Sequence, residues 1–76
     1  LSAIIWKDDV FGVSVTEDSQ GRFWIATSDR TPPAFREKPY ICDGHFLSRE
    51  DAISNAQILV EHCQLGSFGE LRNRNA

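Results

Sequence analysis

The chain has 76 residues, 41% of them hydrophobic and 25% charged, with a net charge of −3. That length allows one thin domain, able to bury only roughly 60% of its unfolded surface. No apolar run approaches the ~20 residues of a membrane-spanning helix, and nothing resembles a secretory signal. Residues 1–64 carry six Lys/Arg against ten Asp/Glu, the opposite of the basic face expected of a phosphate binder. Two cysteines are too few for a disulfide scaffold, which points to a reduced, cytoplasmic setting. The chain contains no Met, so Leu1 is read as something other than a native start.

In chain order, residues 3–6 offer a short edge strand or the start of the first strand. Residues 10–16 alternate, with Phe11, Val13 and Val15 on one side and Val10, Gly12, Ser14 and Thr16 on the other. Period 2 over this length predicts a strand with one buried face. Turn residues follow from Glu17 to Gly21, and alternation resumes over residues 22–28, with Phe23 and Ile25 opposite Trp24 and Ala26. Two such runs joined by a short loop containing glycine predict a hairpin. Thr31-Pro32-Pro33 cannot donate to a sheet, so residues 29–39 read as a loop. Residues 40–46 read as a third strand, with Gly44 as a possible bulge.

The helix has the sharpest local signal. Ser48 is a suitable N-cap, Asp51 approximates a capping box, and Glu50 suits the positive end of the helix dipole. Over residues 49–64, Ala52, Ile53, Ala56, Leu59, Val60 and Cys63 form one apolar stripe. Gly66 stands where a left-handed C-cap belongs. The predicted fold is therefore α+β: a small two-layer β-β-β-α domain over residues 1–66. In it an antiparallel three-stranded meander packs on one C-terminal amphipathic helix, and a polar tail follows at residues 67–76.

Candidate chemistry is sparse. Cys42, His45, His62 and Cys63 are zinc-ligand residue types, but Cys42 and His45 fall on opposite faces of a strand and Cys63 belongs to the core stripe. The cysteines are read as small buried residues, and no metal or cofactor is expected. Asp43 and His45 share a strand face, yet no nucleophile motif or glycine-rich loop accompanies them, so no catalytic residue is assigned.

The order of a meander followed by a helix resembles, in topology, the β-β-β-α portion of double-stranded RNA-binding domains over about 50 residues. That resemblance implies weak nucleic-acid binding, for which Arg30, Arg36 and Lys38 around the proline loop are the candidates. The first helix of that family is absent, and the helix here opens with the acidic Ser48-Arg49-Glu50-Asp51. The overall pattern is also similar to that of many small bacterial proteins.

The stronger expectation comes from apolar residues on the side away from the helix. Val10, Trp24 and Ile41 are expected to share the open sheet face, with Ile58 on the back of the helix. A Trp with aliphatic neighbours has the composition of an interface core. The sequence therefore predicts a small interaction module, self-associating as a homodimer or binding a protein partner. The segment Ile4-Ile5-Trp6 is the competing cover for that face.

Overall fold

A computed structural model of the chain describes residues 2–36 and 44–66. Three strands, β1 (Ala3–Asp8), β2 (Val13–Glu17) and β3 (Phe23–Ala26), precede a 3-10 turn (Pro33–Phe35) and one helix, α1 (Arg49–Leu65). The strands form a single antiparallel sheet in the order β1-β2-β3, and α1 packs on β2 and β3. This is the α+β architecture expected, with one change in which segments build it.

The N-terminal segment is a full strand beside β2 and not a cover for the sheet. Ile4 pairs with Thr16 and Trp6 with Val15, so Ile5 is an extra residue in a β-bulge. The bulge explains how adjacent residues, Ile5 and Trp6, both pack against the core. Of the expected third strand, residues 40–43 lie outside the described residues. Phe46 alone pairs with Phe23, through a single bridge with bonds of 3.0 and 2.8 Å.

The expected strand at residues 10–16 starts late. Val10, Phe11 and Gly12 belong to the turn between β1 and β2. The Asp8 carboxylate accepts the Phe11 N–H at 2.7 Å, and Gly12 takes φ 65°, which bends the chain before pairing can begin. A Cβ on Gly12 would lie 1.8 Å from Ser28 Oγ, so the loop after β3 presses directly on this turn. Thr31 ties the two together. Its hydroxyl donates to the Phe11 carbonyl at 2.6 Å and accepts the Ser28 N–H at 3.2 Å.

The core forms where the two predicted faces meet. Val13, Val15, Ala52, Ala56, Leu59, Val60 and Cys63 are buried, with Phe11, Phe23, Ile25 and Ile53 partly buried against them. Each fully buried side chain of valine or leucine size contributes about 1.5–3 kcal/mol. Phe35 joins them at 2% exposure, delivered from the proline loop by the 3-10 turn. Ser48 caps α1 by accepting the Asp51 N–H at 3.2 Å, and its hydroxyl donates to Glu50 at 3.2 Å. At the other end Gly66 has φ 91° and donates to Cys63 O at 3.1 Å, but its ψ of −132° departs from the left-handed helical cap.

Candidate interaction surface

Register decides which residues share the outer face. Ser14 pairs with Ala26, Thr16 with Trp24, and Thr16 also with Ile4. Val13 and Val15 point into the core, so Ser14 and Thr16 point out, and a row runs Ile4–Thr16–Trp24 across all three strands. Ile4 stands 63% exposed in this row.

Trp24 is half-buried and firmly held. Its indole N–H donates to Asp18 Oδ2 at 2.9 Å, and the same oxygen accepts Arg22 Nε at 2.9 Å. Asp18 Oδ1 accepts the backbone N–H groups of Gln20 and Arg22 at 2.8 and 3.0 Å. One carboxylate thus organises the β2–β3 loop and the ring beside it. The Arg22 guanidinium lies 5.8 Å from the Trp24 ring centroid, and the His45 ring packs at 5.5 Å with a 50° tilt. Donors aimed at the charged form hold the Asp18 carboxyl well below the usual carboxylate range. The Trp24 indole is the largest cause, followed by the Arg22 and Gln20 backbone groups and the Arg22 side chain, against an opposing desolvation.

Of the residues expected to bind a partner, the three that are described, Val10, Trp24 and Ile58, stand at separate places. Trp24 is on the outer face as expected. Val10 is 70% exposed but sits in the β1–β2 turn, off the sheet ladder, because Asp8 and Gly12 bend the chain there. Ile58 is 51% exposed on α1, which packs on the opposite face of the sheet. Ile41 lies outside the described residues. The residue that completes the row is Ile4, from a strand whose pairing partner was not legible. Leu47, 82% exposed just before the helix cap, is a further apolar residue that the sequence reading missed.

The two described basic candidates, Arg30 and Arg36, are drawn into the loop. Arg30 donates to the Asp9 carbonyl, and Arg36 donates to the carbonyls of Thr31 at 2.7 Å and Asp29 at 3.2 Å. Guanidinium groups that cap carbonyls in this way staple the loop and have fewer donors left for phosphate. Lys38 lies outside the described residues. Of the residues weighed as zinc ligands, His45 packs on Trp24, whereas His62 meets Phe35 edge-on at 6.3 Å. Cys63 is buried, and burial, with the Asp8 carboxylate adding to it, pushes its thiol up from the ordinary value. Cys42 and Asp43 lie outside the described residues. Among the described residues no group of three potential metal ligands gathers, and no helix is long and apolar enough to cross a membrane.

No family model matches the chain, and no curated protein or solved structure matches it significantly.

Proposed function

We propose that this chain is a small non-catalytic interaction module that self-associates through the outer face of its sheet. The observation that carries the reading is the row Ile4–Thr16–Trp24, with Ile4 largely exposed and α1 on the other side. An aliphatic side chain beside a fixed indole is suited to the centre of an interface. Because Asp18 already holds Trp24 in place, little side-chain freedom is lost when a second copy docks. A thin domain also gains most from covering an open sheet face.

Size-exclusion chromatography with light scattering tests this. The expected result is a dimer mass at high micromolar concentration that returns to monomer in Ile4→Lys. A strict monomer for the unsubstituted chain sinks the proposal. Weak nucleic-acid binding is the alternative, and it has less support because Arg30 and Arg36 are occupied with loop carbonyls. It requires retardation of RNA or DNA that weakens steeply with salt.

A further inference from the structure

A second surface, separate from the outer face, lies at the edge of β1. The sheet order leaves the far side of β1 without a strand among the described residues. Because α1 rests on β2 and β3, the inner face beneath β1 stays partly open. Trp6 and Val60 line a shallow, open groove there, bordered on the helix side by Gln57, Glu61 and Gln64. Another groove follows the strand itself along Ile4, Ile5, Trp6 and Lys7, and Trp6 belongs to both.

We infer that β1 accepts an added strand from a partner protein: an extended segment with alternating apolar residues and a basic residue that meets Glu61. An added strand gains main-chain hydrogen bonds from the open edge, and its alternate side chains point to one face. On the inner face those side chains meet Trp6 and Val60, which favour apolar groups. The charged member of the wall is Glu61. Among the described residues the salt bridges are Lys7–Asp9 and Arg22–Asp18, so Glu61 has none there. Glu17, opposite Ala3, places further negative charge at one end of the strand, whereas Asp9 at the other end is paired with Lys7.

The edge is also guarded. The bulge at Ile5 and the charged Lys7 and Asp8 discourage indiscriminate pairing of flat edges. An occupant must therefore be recognised by its side chains as well as by its backbone, which is what the Trp6 groove provides. A second copy of this chain is the poorer occupant here, because the bulge interrupts a self-complementary ladder.

The test titrates the full chain, labelled with nitrogen-15, with a short capped peptide of alternating valine and threonine carrying two lysines. A second peptide has glutamates in place of the lysines. The lysine peptide is expected to shift the amides of Ala3 to Lys7 and the Trp6 indole, and to bind about fivefold more tightly than the glutamate peptide. Glu61→Lys, on an exposed helix position, is expected to reverse that preference while the fold stays intact. No shift at millimolar peptide, equal affinity for the two peptides, or shifts confined to Trp24 and its neighbours would each overturn the inference. Loss of the dimer in Ile4→Lys reports on the outer face and leaves the Glu61-dependent preference to be read independently.

Discussion

The two faces of this sheet are held by different physics. The inner face is apolar packing: Val13 and Val15 are fully buried beneath Ala52, Ala56, Leu59 and Val60. The outer face is organised by directed polar contacts, with Asp18 accepting four hydrogen bonds and fixing Trp24 from the side. Packing is non-directional and roughly proportional to buried area. Where α1 covers β2 and β3 it holds the fold together and leaves no face available for recognition. A hydrogen-bonded cluster contributes less to folding but leaves defined apolar groups facing water. Over β2 and β3, stability and recognition are separated across one layer of backbone, and substitutions on the two faces should fail in different ways.

The largest effect is expected at Phe35. Phe35→Ala removes a ring buried against the core and should cost about 3–5 kcal/mol, a large share of what a small domain possesses. Thermal unfolding followed by circular dichroism should show a melting point tens of degrees lower, or no cooperative transition. Gly12→Ala comes next. It combines a positive φ with a Cβ inside the Ser28 side chain, and should cost about 2 kcal/mol. If urea midpoints for Gly12→Ala matched those of the parent chain, the link between the β1–β2 turn and the loop at Thr31 would be broken as an explanation.

Asp18→Asn should act more gently and with a specific pH signature. The carboxyl titrates lower in the folded chain than the ordinary aspartate value of 3.8. Its stabilising contribution is therefore fully present above that value and is lost as pH falls below it toward the folded pKa. The parent chain should lose melting temperature below about pH 4 more steeply than Asp18→Asn, which has no such carboxylate to protonate. At neutral pH the variant should melt a few degrees lower. Parallel acid profiles for the two proteins would show that the outer cluster does not depend on this charge.

Much of the inner face was legible in the sequence. Period 2 identified Val13, Val15, Phe23 and Ile25, and period 3.6 identified the α1 stripe, because both patterns report directly on which side meets water. The cap at Ser48 was legible for the same local reason. Phe35 was not, since a residue in a proline-rich loop carries no periodicity. The Pro32-Pro33 pair preceding an aromatic was the available hint. The role of Ile4 was also hidden. The sequence offered residues 3–6 as an edge strand, but only the register across β1 and β2 places Ile4 beside Thr16 and Trp24. The Asp18 cluster looks like ordinary turn chemistry in the sequence, because nothing in Asp18 to Gly21 reveals that the carboxylate meets an indole six positions later.

Ile4→Lys should have the smallest effect on stability, within about 0.5 kcal/mol, because Ile4 is already mostly in water. That makes it suited to separating recognition from folding. The most direct measurement is the concentration dependence of amide and indole chemical shifts in the unsubstituted chain and in Ile4→Lys. The expected result is that dilution moves Ile4, Thr16 and the Trp24 indole while α1 stays fixed, and that Ile4→Lys abolishes those shifts without unfolding. Dilution shifts centred on α1, or none at any concentration, would contradict the assignment of the outer sheet face as the interaction surface.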